Sequence, residues 1–194
     1  MEETIIVQFV LLKTIFFFSI MEALKPLLKK VENPAAVFDI DETLILNVED
    51  EGYKVHRPVY DVVQFLREHH VPIFVVTARR KSEASAAYAM EQLYTFYDEF
   101  DGLYMVNKEH DEDDSASIFK FRSRQRVMDK GYTIVLNAGD NWSDLGLMVK
   151  YKKHHVHAEW KTTHPSRKEH YLLKNVEETS MLSWKVPNKD YEVD

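Results

Sequence analysis

Short apolar runs alternate along the chain with stretches that carry a helical apolar stripe. Ala35-Ala36-Val37-Phe38 is too short for a helix and predicts a buried strand over about residues 35–40. Val71-Pro72-Ile73-Phe74-Val75-Val76 predicts a second strand, Gly102-Leu103-Tyr104-Met105-Val106 a third, and Tyr132-Thr133-Ile134-Val135-Leu136-Asn137 a fourth. After Pro58, which suits a first helical turn, Val59, Val62, Val63, Phe65 and Leu66 predict a helix to His69. A helix over 82–98 would use Tyr88, Met90, Leu93 and Phe96 for one face. Another, over about 117–130, would start from a Ser115 or Ser117 cap and stop at Gly131. Tyr171-Leu172-Leu173 reads as a short last strand, and Trp184 as a side chain that packs back on the body. Strands alternating with helices imply an α/β fold with a mainly parallel sheet and right-handed crossovers.

The polar residues at the ends of these strands change the picture. The first strand releases into Asp39-Ile40-Asp41-Glu42-Thr43. Carboxylates at i and i+2 on extended chain point the same way, so Asp39 and Asp41 are placed to share one pocket. Ligands of open α/β sheets bind at the carboxyl ends of strands. Two acids there repel unless a cation or a shared proton offsets the repulsion, although a lone pair of this kind also serves to cap a helix. Thr77 follows the second strand, Lys120 lies on or just before the helix after the third, and Asp140 and Asp144 follow the fourth. Phosphoryl transfer needs such a set. Carboxylates hold a divalent cation, a hydroxyl and an ammonium hold the phosphoryl oxygens, and a second carboxylate moves the proton. An oxygen-only ligand set favours Mg²⁺ over zinc.

Composition narrows the alternatives. A chain of 194 residues, 45% apolar and 12% aromatic, suits one domain with a real core. A formal net charge of −7 argues against nucleic acid as a partner. The absence of cysteine removes thiolate chemistry and disulfides and leaves the compartment undecided. Residues 5–21 are apolar but hold Gln8 and Lys13. They are read as a packed helix, with a membrane anchor, a cleaved signal and an extension ahead of a start at Met21 as alternatives. The location expected is accordingly cytoplasmic, with a membrane-anchored or secreted protein as the alternative. The run Asp111–Asp114, the cluster His154, His155 and His157, and the charges Arg122, Arg124 and Arg126 read as solvated.

Four motifs in order resemble the haloacid dehalogenase (HAD) superfamily: Asp39-x-Asp41-x-Thr43, Val76-Thr77, Lys120 and Gly139-Asp140-Asn141-Trp142-Ser143-Asp144. D-I-D-E-T-L with F-K-F-R-S-R-Q-R, G-Y-T-I-V-L-N-A and G-D-N-W-S-D-L is similar to its acid phosphatase branch, which includes class B and class C enzymes and plant vegetative storage proteins. The resemblance implies a three-layer Rossmann-like fold over 33–194 behind an N-terminal segment at 1–32. The cap would be minimal, a short flap at 45–58. It implies a Mg²⁺-dependent phosphatase for small phosphomonoesters in which Asp39 is the nucleophile and forms an aspartyl-phosphate, and Asp41 is the acid and then the base. The metal would lie on Asp39, the carbonyl of Asp41 and Asp140. Thr77 and Lys120 would hold the phosphoryl group, Arg79 would reach the substrate, Thr43 would brace the loop, and Asp144 would orient Lys120 or a metal-bound water. Alternatives are a phosphotransferase using the same intermediate and a non-catalytic storage or scaffold protein. Because the acid at 41 is present, dehalogenation is disfavoured. Oligomeric state and physiological substrate are not set by these residues.

Overall fold

The computed structural model describes residues 20–48, 52–107, 115–145, 171–174 and 181–187. Residues 20–28 form a first helix, α1. Then come β1 (Pro34–Phe38), β2 (Ile45–Val48), β3 (Gly52–Val55), α2 (Arg57–Glu68), β4 (Ile73–Arg80) and α3 (Glu83–Tyr94). β5 (Gly102–Val106), α4 (Ala116–Asp129), β6 (Thr133–Gly139), a 3-10 turn (Trp142–Leu145), β7 (Tyr171–Lys174) and β8 (Leu182–Lys185) complete the order.

Six strands form one sheet in the order β5-β4-β1-β6-β8-β7. Neighbours run parallel except for the antiparallel β7–β8 pair at one edge. Successive side chains of a strand face opposite ways, and this alternation builds two cores. Ala36 and Phe38 of β1 and Ile73 and Val75 of β4 bury with α1, α2 and α3 through Ile20, Leu24, Val59, Val62, Leu66, Ala89 and Leu93. Ala35, Val37, Phe74 and Val76, facing the other way, bury with Phe119 and Val127 of α4. The result is the expected α/β arrangement, a mainly parallel sheet between helical layers.

The strand and helix starts follow local chemistry. Ser82 and Ser85 form a capping box at the head of α3. At α4 the cap is Ser115, whose hydroxyl accepts the Ile118 N–H at 3.4 Å, and Ser117 is buried instead. α3 ends at Tyr94, short of the expected 98, where the Thr95 hydroxyl bonds back to the Glu91 carbonyl at 2.9 Å.

Two elements differ from the sequence expectation. The flap segment is an antiparallel hairpin, β2–β3, with Ile45 opposite Val55 and Asn47 opposite Tyr53. Strands of four residues carry too little alternation to stand out, and Tyr53 secures the hairpin edge-on against Phe96 at 6.0 Å. Trp184 does more than pack back on the body. It lies in β8, inside the sheet between β6 and β7, and is fully buried. Residues 5–19, 111–114, 154, 155 and 157, to which the readings of an apolar segment, a solvated acidic run and a histidine cluster belong, lie outside the described residues. Among the described residues no helix is long and apolar enough to cross a membrane.

β6 ends on Gly139 because nothing larger fits there. A Cβ at this position would lie 2.1 Å from the Asp144 Cβ. Gly139→Ala is therefore expected to destabilise the protein by more than about 1 kcal/mol through overpacking and to displace Asp144. Urea unfolding checks this, and an unchanged midpoint would contradict the close approach. Trp184→Ala should lose about 3–5 kcal/mol in the same experiment, and a loss below about 1 kcal/mol would show that β8 is not part of the core.

Candidate active site

β1 ends at Phe38, and the Asp39 N–H continues its ladder to the Ala138 carbonyl at 3.0 Å. The chain then turns sharply, with Glu42 at a positive φ of 53° and with Thr43 and Ile45 both donating backbone N–H bonds to the Ile40 carbonyl. Strand register puts the other residues beside this loop. Phe38 pairs with Val75 on one side and with Ala138 on the other. Thr77 and Asp140, two residues further along their parallel strands, therefore stand level with Ile40 and flank Asp39 and Asp41.

Asp39, Asp140 and Asp144 are buried, and each offers a carboxylate oxygen such that all three lie within 4.8 Å of one another. Lys120, buried on α4, sets its ammonium 3.2 Å from Asp39 Oδ2 and donates to Asp144 Oδ1. Asp144 is itself held. Its Oδ2 accepts the Asn141 N–H at 2.8 Å, and its main-chain carbonyl accepts from Asn137 Nδ2 and from Arg124 Nη1, the latter at 3.1 Å. Asp140 accepts from Asn141 Nδ2 at 3.1 Å through both oxygens. Asp39 Oδ1 is buried and has no hydrogen-bond partner.

The charges explain the protonation behaviour. Burial pushes the Asp39 carboxyl up to about 7, with Lys120 opposing and Asp144 and Asp41 adding to the rise. Burial, then Asp144 and Asp39, push Asp140 up to about 8 against the pull of Lys120 and Lys185. Burial alone would lower the Lys120 ammonium, but Asp144 and Asp39 outweigh it and raise the group above its ordinary value. An all-oxygen donor set with surplus negative charge and one orphaned carboxylate oxygen fits a hard divalent cation.

Asp41 lies on the more open side of the loop. Arg79 grips it with both arms of one fork, Nε to Oδ2 at 2.8 Å and Nη2 to Oδ1 at 2.6 Å, and Asn47 of the flap donates to Oδ1 at 3.2 Å. Burial would raise Asp41, but the bonds and charge of Arg79, with Asn47, outweigh it and hold the carboxyl below its ordinary value. The Thr77 hydroxyl oxygen accepts the Arg79 N–H at 3.2 Å, which leaves its own hydrogen to donate.

The structure thus brings Asp39, Lys120, Asp140 and Asp144 together, with Thr77 and Asp41 beside them. Arg79, expected toward the substrate, is bonded to Asp41 and to Gln92. Within the loop it is expected to brace, Thr43 donates its backbone N–H to the Ile40 carbonyl. Its hydroxyl is buried without a partner, while its own carbonyl lies 3.1 Å from His56 Nδ1. Arg124, one of three arginines read as mostly solvated, is buried, and its Nη1 donates to the Asp144 carbonyl. Sequence reading missed Asn47, Gln92, Asn137 and Lys185. Asn137 and Lys185 were visible as polar residues inside apolar strands, whereas Gln92 and Asn47 carried no signal.

A folded-state carboxyl above its ordinary 3.8 keeps its proton where the unfolded chain has lost it. The contributions of Asp39 and Asp140 are therefore present at low pH and lost as pH rises toward about 7 and 8. Thermal melts in EDTA should fall across that window, and Mg²⁺ or an Asp140→Asn substitution should flatten the slope. A melting temperature that rises with pH there would contradict this electrostatic picture.

The sequence profile of the HAD superfamily, subfamily IIIB (acid phosphatase), matches residues 48–192. That span holds Thr77, Lys120, Asp140 and Asp144 and begins after the Asp39–Thr43 loop. Acid phosphatase 1 of tomato (Solanum lycopersicum) is 28% identical over 143 residues, covering 60% of this chain and 54% of the tomato protein. The chain thus spans about half the length of that curated relative. With the profile match extending over most of the chain, and with the six-stranded sheet and its strand-end acids, this chain belongs to subfamily IIIB, the acid phosphatases, of the HAD superfamily.

Proposed function

We propose that the chain hydrolyses small phosphomonoesters through an aspartyl-phosphate on Asp39, with Mg²⁺ as the cation. The observation that carries this reading is the buried Asp39, whose Oδ1 is unpaired while Oδ2 lies against Lys120. Oδ1 attacks phosphorus, the bond from phosphorus to the ester oxygen breaks, and Asp41 supplies the proton that the leaving alkoxide takes. Water then attacks the phosphorus, Asp41 takes its proton, and the bond from phosphorus to Oδ1 breaks, which returns Asp39 and releases phosphate. Thr77 and Lys120 hold the non-bridging oxygens, and Asp144 keeps Lys120 in place. Asp39 and Asp140, with the main-chain carbonyl of Asp41, would hold the cation, and Asp144 is close enough to join them. The cation supplies charge screening between the anionic nucleophile and the anionic substrate.

The Arg79 clamp keeps Asp41 in the ionised form that can take the proton of water, and its acid step is favoured as pH falls, because the clamp depresses the carboxyl. Turnover of alkyl phosphates is therefore expected to decline with rising pH more steeply than that of aryl phosphates, which need no leaving-group proton. Parallel profiles would argue against Asp41 as the acid. Asp39→Asn, or EDTA, should reduce hydrolysis of an aryl phosphate to background, and Asp41→Asn should cost alkyl phosphates about 100-fold. Full activity of Asp39→Asn would overturn the proposed nucleophile.

A further inference from the structure

A buried amide on α3 takes no part in the proposed chemistry. Gln92 is only 2% exposed and is followed in the helix by the fully buried Leu93. Both ends of its amide are in use. Oε1 accepts from Arg79 Nη1 at 2.6 Å, and Nε2 donates to the Tyr88 hydroxyl at 3.2 Å. Arg79 Nη1 is the one arm of the guanidinium that does not touch Asp41.

We propose that Gln92 is a positioning residue that sets the plane of the Arg79 guanidinium and, through it, the direction of the Asp41 carboxylate. The inference rests on the phosphatase reading for Asp41. The Arg79 and Asp41 side chains are 19% and 32% exposed. Two bonds along one edge of the fork hold the carboxylate but fix the guanidinium plane only along that edge. A third bond from a buried helix residue removes the freedom of the fork to rotate while Nε and Nη2 keep the carboxylate. The chain Tyr88–Gln92–Arg79–Asp41 thereby ties α3 to the side chain that must meet the leaving oxygen. The outer anchor is Tyr88, itself 53% exposed, so the buried amide of Gln92 is the member fixed by its surroundings. Asn47 contacts Asp41 from the flap and completes the grip from the opposite element.

Gln92→Leu keeps the volume and removes the acceptor, whereas Gln92→Glu keeps an acceptor in the same place. The measurement is kcat and KM for p-nitrophenyl phosphate and for glycerol phosphate, an aryl and an alkyl ester. Gln92→Leu is expected to lower kcat/KM for the alkyl ester about tenfold, as loss of outer supporting bonds commonly does. For the aryl ester kcat/KM covers only the steps up to the aspartyl-phosphate and needs no leaving-group proton, so it should change less than about twofold, and Gln92→Glu should restore the alkyl value. An equal loss of kcat/KM on both esters, no loss on either, or a Glu variant as poor as the Leu variant would overturn the proposal. A second readout does not depend on turnover: the ¹⁵N-detected Nε–H of Arg79, assigned with Arg79→Lys. It should exchange slowly with solvent in the native protein and in Tyr88→Phe, and fast in Gln92→Leu. Fast exchange in the native protein would overturn the proposal. If the native protein hydrolyses neither ester, the phosphatase reading fails, and the exchange measurement still decides the tether.

Discussion

Lys120 makes the rest of the site tolerable. Burying three carboxylates within 4.8 Å of one another concentrates negative charge where water cannot screen it. The Lys120 ammonium, 3.2 Å from Asp39 and bonded to Asp144, offsets part of that charge, and Lys185 acts on Asp140 in the same sense. Burial, with the repulsion among the acids, outweighs that offset, which is why Asp39 and Asp140 both stay above their ordinary values. The remaining charge gives a hard cation a reason to bind, and that cation would free both acids to ionise.

The fold delivers the strand-end groups Asp39, Thr77 and Asp140 by register. β1, β4 and β6 are adjacent and parallel, so the residues two beyond a matched trio fall on one line. Asp41 and Asp140 then differ in surroundings more than in chemistry. Asp140 lies among acids in the buried cluster, whereas Asp41 faces Arg79 and the flap. One carboxyl is raised and the other depressed. Environments that push two acids apart in this way commonly separate a ligand-holding role from a proton-moving one.

Much of this was legible in the sequence because it depends on period and order. The strands around Val37, Val75 and Val135 declared themselves as apolar runs, and Asp39, Thr77 and Asp140 stand at or just past the ends of those runs. Contacts that depend on side-chain direction were not legible. Arg79 faces Asp41 because Asp41 lies within reach of its fork, which spacing alone does not reveal. Gln92 reads as one polar residue in a helix, and only the packing of α3 against the sheet turns its amide toward Arg79. The β2–β3 hairpin escaped notice because four-residue strands flanked by charge give no clear alternation. Lys185, a lone cation between Trp184 and Val186, was the clearest missed signal, since an apolar strand tolerates lysine only where acids such as Asp140 balance it.

The most direct test of Asp39 as the group that takes the phosphoryl is to catch the adduct. Native protein and Asp41→Asn, loaded with Mg²⁺ and an aryl phosphate, would be quenched in acid and digested, and the peptide containing residues 39–41 weighed by mass spectrometry. One added phosphoryl group that localises to Asp39, accumulates in Asp41→Asn and is absent from Asp39→Asn is the result expected. Turnover by the native protein with the phosphoryl group on another residue, or with no adduct in either protein, would contradict covalent catalysis by Asp39.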